Sequence, residues 1–210
     1  MLSYIILGDY MWKYDREAEF NKMLNAERNR VNSFLYILNM NNENRNDELI
    51  KKQLELIKRV RDNMGIVNFV IDKHETDSTE VKRDGVHAII GTLGSDLVDE
   101  YKIEISKPYT RIYYKNNRNG IYNRALQDDI TCYKNLKEIL VSGIDVYDFA
   151  LGLSSYLDEI NMDPKILISR DTTDMKESFF YLNSLLDERG VAVVENLAYL
   201  DQLEKVYKLK

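Results

Sequence analysis

Short apolar runs, rich in β-branched and aromatic residues, recur along this chain and alternate with amphipathic stretches. Each run predicts a buried strand, and most of the runs end at a polar or charged residue. The predicted strands are Tyr4–Leu7, Ile66–Ile71, Thr110–Tyr114, Glu138–Gly143, Lys165–Asp171 and a last one that begins at Val191. This alternation predicts a three-layer α/β fold with a mostly parallel sheet. The chain has no linker or repeat, so we expect a single domain over residues 1–210.

The amphipathic stretches predict the helices. Residues 16–64 carry apolar side chains at spacings of three, four and seven on both sides of a polar loop, NNENRNDE, and this pattern predicts two helices. Val146–Ile160 and the stretch MKESFFYLNSLLDERG predict two more, and Asp96–Lys102 predicts a short helix or turn.

Charged side chains stand directly after four of the predicted strands. They are Asp9, Asp72, Lys115 and Asp145. In a parallel sheet the carboxyl ends of the strands meet at one edge, which is where such folds bind their ligands. The pattern therefore predicts a site to which these four residues contribute, although a strand-end lysine is more often simply exposed and Asp9 is also suited to cap the following helix.

A candidate metal site follows the second of these strands. Asp72 and His74 are two residues apart and can share one face, and Glu80 and His87 follow in a polar segment. Two imidazoles and two carboxylates are a suitable ligand set for zinc, manganese or iron. The alternative is structural: Asp72 would close a turn, His74 and Glu80 would be solvated, and His87 would cap a helix.

Composition narrows the classes of protein. The hydrophobic fraction of 44% and the charged fraction of 30% are typical of a soluble globular chain. The net charge of −6 argues against a nucleic-acid-binding surface. The single cysteine excludes an intramolecular disulfide, and there is no signal peptide or long apolar run. We therefore expect a cytoplasmic protein with no membrane or nucleic-acid partner.

The segment HAIIGTLGSDL, which begins at His87, resembles a motif of the nicotinamidase/isochorismatase family of hydrolases. That motif has a histidine four residues before Gly-Thr, then a second glycine and an acidic residue before leucine, and it follows a metal-binding D-x-H. The resemblance implies that Asp72, His74 and His87 hold a divalent metal and that Glu80 adds a fourth ligand. It also implies the isochorismatase-like hydrolase fold, with Asp9 and Lys115 as two members of an Asp-Lys-Cys triad. Members of the family are often dimers or tetramers, so a homo-oligomer is consistent with the resemblance.

The nucleophilic cysteine of that family is missing from its place. The strand Glu138–Gly143 leads through a turn into a helix, where a helix N-terminus would lower a thiol pKa and supply amides for an oxyanion hole. Alignment on the strand puts Phe149 at the nucleophile and Tyr147 at the aspartate that usually precedes it. Alignment on the helix puts Asp145 at the nucleophile, and we prefer it because the helical core pattern is longer. The only thiol, Cys132, lies before this strand, where a relocated nucleophile is one interpretation and a half-buried structural residue the other.

Two hypotheses for the function follow from the resemblance. The first is a metal-containing hydrolase of small, nicotinamide-like amides, whose nucleophile is Asp145, Cys132 or a metal-bound water. The second is a catalytically inactive relative that keeps the pocket to bind a small ligand as a sensor or regulatory protein.

Overall fold

The computed structural model describes residues 18–174 and 180–198. Residues 18–28 form helix α1. The other helices are α2 (Asp47–Asp62), α3 (Thr79–Asp84), α4 (Asp99–Ile105), α5 (Arg124–Thr131), α6 (Val146–Glu159) and α7 (Phe180–Glu188). The strands are β1 (Ser33–Leu38), β2 (Ile66–Asp72), β3 (Thr110–Lys115), β4 (Glu138–Gly143), β5 (Lys165–Thr173) and β6 (Val191–Val194).

The strands form one sheet in the order β3-β2-β1-β4-β5-β6, and all the neighbouring pairs among these strands are parallel. Helices cover both faces, so the predicted three-layer α/β fold is confirmed. Phe34, Tyr36 and Leu38 of β1 face α5 and α6, while Leu35 and Ile37 face α2 and α4. The core is thus two apolar layers separated by the central strands.

Strand β1 corrects the prediction for residues 16–64. We expected two helices there, and the structure has α1, the central strand β1 and α2. All six side chains of β1 are buried. A strand buried on both faces loses the alternation of apolar and polar positions, and its apolar run then fits a helical spacing equally well.

Glycine is required where β1 meets β4 at the site edge. Gly143 ends β4 with a φ of +111°, which side-chain-bearing residues rarely adopt. A Cβ atom there would overlap the backbone carbonyl oxygen of Leu38. The two central strands can therefore approach closely at their carboxyl ends only because this side chain is absent.

The predicted strand Tyr4–Leu7, with Asp9 after it, lies outside the described residues. No helix in the described ranges is both long enough and apolar enough to cross a membrane.

Candidate metal site at the carboxyl edge of the sheet

Asp72 and Lys115 face each other at the ends of β2 and β3. They are partners in the strand register, both side chains are buried, and their charged groups form an ion pair. The Lys115 ammonium also donates to the Asn117 carbonyl oxygen at 3.1 Å. Gly120, with a φ of +66°, packs against the lysine stem, and a Cβ atom there would lie 2.8 Å from Lys115 Cδ. Lys115 is thus a fixed, buried cation and not an exposed side chain.

The segment between β2 and α4 folds back on itself and brings the two histidines together. The His74 amide donates to the Ala88 carbonyl oxygen at 3.0 Å, and the Ile90 amide donates to the His74 carbonyl oxygen at 3.0 Å. This short parallel bridge puts the two imidazole centroids 4.6 Å apart. The side chain of Ser78 caps α3, and Glu80 lies buried in the first turn of that helix.

His74, Glu80 and His87 form one group of potential metal ligands. Each offers one donor atom, and the three atoms lie within 4.8 Å of one another. The sequence analysis also named Asp72 as a ligand. The structure places its Oδ1 3.7 Å from His74 Nε2, but the same carboxylate pairs with Lys115. Asp72 therefore lies beside the group, and its strongest contact is with the lysine.

Each of the two imidazoles has a ring nitrogen that is available to bind a metal. His74 is 0% exposed, and neither ring nitrogen has a hydrogen-bond partner among the described residues. Burial lowers the pKa of His74, even though Asp72 and Glu80 act in the opposite direction, and so favours the neutral ring with a free lone pair. His87 Nδ1 lies 2.7 Å from the Gly85 carbonyl oxygen. Because that oxygen can only accept, Nδ1 must carry the proton, which leaves Nε2 free to bind a metal.

Two residues that the sequence analysis missed support this group. Glu43 accepts a hydrogen bond from the Ala88 amide at 2.7 Å, where Ala88 has a φ of +44°. The Asn41 side chain donates to the Asp72 carbonyl oxygen at 3.2 Å. Both lie within five residues after the end of β1. Had β1 been predicted as a strand, these polar residues at its carboxyl end would have been recognised as part of the site edge.

Asn39 and Asp145 lie after the two central strands of the sheet, β1 and β4. Asn39 follows β1 with a φ of +53°, and Asp145 follows β4 with a φ of +59° and precedes α6. Asn39 Nδ2 lies 3.4 Å from Asp145 Oδ2. The first strand of the described sheet thus ends in an amide and not in the aspartate that the resemblance implies. Asp9, to which that role was assigned, lies outside the described residues.

The first turn of α6 has no thiol. Asp145 immediately precedes the helix, as the alignment on the helix requires. Phe149, which the alignment on the strand favours, is fully buried against Tyr36, with ring centroids 5.1 Å apart. Its ring also approaches Gly120, the glycine that packs on Lys115. In either alignment an apolar or carboxylate side chain stands where a cysteine is expected.

Cys132 lies too far away to replace that thiol. It ends α5, and the residues after it contact the amino ends of the strands: Tyr133 packs against Phe34, and the Lys137 amide donates to the Asn32 carbonyl oxygen at 2.8 Å. A helix that connects two parallel strands runs back along them, so its end faces the edge opposite the site. The interpretation of Cys132 as a relocated nucleophile is therefore wrong.

Two open grooves lie elsewhere on the described surface. One of about 370 Å³ runs along α6 past Asp148 and Ser155, and one of about 520 Å³ lies beside Lys52 and Asp171. Neither includes a residue of the metal-ligand group.

Comparison with known proteins identifies the fold. No protein-family model matches the sequence, and no curated protein does. Among solved structures, nicotinamidase from Bacillus subtilis is similar at 17% identity with a TM-score of 0.64, covering 79% of this chain and 100% of its own. An isochorismatase family protein from Desulfovibrio vulgaris matches at 15% identity and a TM-score of 0.64, covering 83% of this chain and 99% of its own. Pyrazinamidase of Pyrococcus horikoshii in complex with zinc matches at 17% identity and a TM-score of 0.61, covering 78% of this chain and 98% of its own.

These likenesses define a class by architecture. The chain has the isochorismatase-like hydrolase fold, as the resemblance of the His87 segment implies.

Proposed function

We propose that this protein binds a divalent metal ion through His74, Glu80 and His87 and recognises a small amide ligand beside it, without thiol-dependent hydrolysis. The observation that carries the proposal is the environment of His74. A fully buried imidazole without a hydrogen-bond partner is costly unless something binds its lone pair, and two further ligand atoms stand within reach. The donor set of two imidazoles and a carboxylate suits zinc, manganese or iron.

The rest of the site suits a small polar ligand. When bound, the ion would act as a Lewis acid toward a carbonyl oxygen or hold a ring nitrogen of the ligand. Lys115, held by Asp72, provides a fixed positive charge at the same edge. Amide ligands are proposed because nicotinamidase and pyrazinamidase share the fold.

The absence of thiol chemistry rests on three positions. Cys132 is the only cysteine in the chain and lies at the opposite edge of the sheet. Phe149 occupies the helix turn near Lys115. Asn39 follows the central strand β1, and its amide cannot accept a proton from a nucleophile as a carboxylate does.

A second candidate function is hydrolysis of a small amide with water as the nucleophile. The buried Asp72–Lys115 pair favours it, since a desolvated cation at this edge would stabilise the negative charge that develops on an attacked carbonyl oxygen. Asp145 would then be the group that accepts a proton from water, because it stands at the same edge and makes no capping hydrogen bond within its helix.

The metal assignment is tested by elemental analysis of purified protein. We expect about one equivalent of zinc, manganese or iron per chain, and loss of most of it in His74→Ala and Glu80→Gln because each variant removes one donor. Glu75→Gln is the matched control, since Glu75 is exposed on the same segment and outside the ligand group. Metal-free native protein that cannot be loaded with zinc, or equal loss in the Glu75 control, would refute the site.

Turnover separates the two candidate functions. Metal-loaded protein is titrated with nicotinamide in a calorimeter, and ammonia release is followed on the same preparation. Binding without ammonia supports the ligand-binding function. Ammonia release that Asp145→Asn abolishes would establish the hydrolase instead.

A further inference from the structure

Asn39 and Asp145 form a polar pair at the site edge. Asn39 follows β1 and Asp145 follows β4, so Asn39 lies one strand and Asp145 two strands away from Asp72 at the end of β2. Both residues hold left-handed backbone, which is unfavourable for a residue with a side chain and clusters at functional sites. Backbone contacts keep Asn39 there: its amide donates to the Val70 carbonyl oxygen at 2.9 Å, and its own carbonyl oxygen accepts from Asn44 Nδ2 at 3.1 Å.

The orientation of the Asn39 amide follows from its neighbour. Of its two ends, only Nδ2 can donate to the Asp145 carboxylate, which it approaches at 3.4 Å. The opposite end, Oδ1, is then fixed as well. That oxygen is buried, in a side chain only 1% exposed, and has no hydrogen-bond partner in the described part of the chain.

The Asp145 carboxylate also makes no capping hydrogen bond to the helix that follows it. An aspartate before a helix commonly accepts from the amides of the first turn, but Asp145 makes no such bond to α6. Its left-handed conformation differs from the extended one that capping needs. The carboxylate instead contacts Asn39, so two acceptor groups, Asn39 Oδ1 and the Asp145 carboxylate, stand side by side with unused capacity.

We infer that Asn39 and Asp145 together determine specificity for the NH₂ group of a primary amide over the corresponding carboxylate. An NH₂ group presents two donors to two acceptors. A carboxylate ligand presents only acceptors and a negative charge, which Asp145 repels. The inference rests on the proposed function, because it names the chemical group by which the pocket selects its ligand.

The test is the ratio of two dissociation constants. Zinc-loaded protein is titrated in a calorimeter with nicotinamide and, separately, with nicotinate. We expect the native protein to prefer nicotinamide by about tenfold or more, the factor that one hydrogen bond typically supplies. In Asn39→Leu, nicotinamide binding should weaken by about tenfold while nicotinate binding stays the same or improves, so that the preference is lost.

Two further variants distinguish a specificity role of Asn39 from a merely structural role. Asn68→Leu is the matched control, because Asn68 is a buried asparagine in the middle of β2, away from the edge, and its side chain has no hydrogen-bond partner within residues 18–174 and 180–198. It should leave the ratio unchanged. Asn39→Asp keeps an acceptor and adds a second negative charge, so the preference for nicotinamide should persist or rise. A structural role for Asn39 would instead move the leucine and aspartate variants in the same direction.

The outcomes separate the inference from the proposed function. If native protein binds nicotinamide but Asn39→Leu weakens both probes equally, the specificity role is wrong and the ligand pocket stands. If zinc-loaded native protein binds neither probe, both the pocket and the specificity role are refuted.

Discussion

At the scale of single residues, the candidate site centres on His74. Its ring is completely buried between Asp72, Glu80 and His87, yet burial outweighs the two carboxylates and lowers the pKa of the ring, which favours its neutral form. Lys115 differs from His74, because its buried charge is paired directly with Asp72. One edge of the sheet thus holds both an imidazole without a hydrogen-bond partner in the described ranges and a paired cation.

The lowered pKa of His74 predicts a pH dependence of stability in the metal-free protein. Since the folded-state pKa lies below the ordinary value near 6.5, the unfolded chain binds the proton more tightly, and the free energy of unfolding falls as pH drops below that value. Above it this effect is absent. Urea unfolding with a chelator at pH 5.0 and 7.5 measures the difference. It should be smaller in His74→Asn, and an unchanged difference would show that other groups cause it.

At the scale of secondary-structure elements, a buried hydrogen-bond network joins the helices of one face to the sheet. Gln53 of α2 accepts from the Tyr101 hydroxyl of α4, and its Nε2 lies 3.0 Å from Ser142 Oγ of β4. Ser142 in turn donates to the Thr172 carbonyl oxygen of β5 at 2.6 Å. Four elements are thus held in one arrangement beneath the site edge.

Loss of Gln53 should destabilise the protein through its partners. In Gln53→Leu the buried Tyr101 hydroxyl loses its acceptor, and we expect the free energy of unfolding to fall by about 1–3 kcal/mol. Adding Tyr101→Phe removes that orphaned hydroxyl and should restore part of the loss, which urea unfolding of both single variants and the double variant measures. Strict additivity of the two changes would contradict the network.

The elements also show what the sequence could predict. Periodicity predicts strands β2 and β4, which have flanking polar residues. It also predicts helix α6, which has a continuous apolar face. Strand β1 does not, because burial on both faces erases its alternation. That error hid Asn39, Asn41 and Glu43, whereas the strand ends at Asp72 and Lys115 were found. The pairing of Asp72 with Lys115 could not be predicted, because it depends on the register of β2 and β3, and the pattern of apolar and polar positions does not specify that register.

At the scale of the whole molecule, the sheet is joined at its centre by the pairing of β1 with β4. Strands β2 and β3 extend from one side of this seam and β5 and β6 from the other. The site spans the seam, with Asn39 and Asp145 on either side of it.

Gly143→Ala should therefore open the seam. The substitution combines an unfavourable φ with a collision against the Leu38 backbone, and we expect it to cost more than about 2 kcal/mol of unfolding free energy. Gly190→Ala is the matched control: its φ of +74° is also positive, but nothing lies within 4 Å of the added methyl group. It should cost only about 1 kcal/mol. Equal losses in thermal or urea unfolding would show that the close approach at Gly143 has no effect.

The three proposed metal donors, His74, Glu80 and His87, lie on one continuous stretch after β2, whereas Asn39, Lys115 and Asp145 come from three separate strands. The two halves of the site can therefore diverge independently during evolution. Substitutions at the strand ends can replace one chemistry with another while the ion-binding stretch is inherited intact.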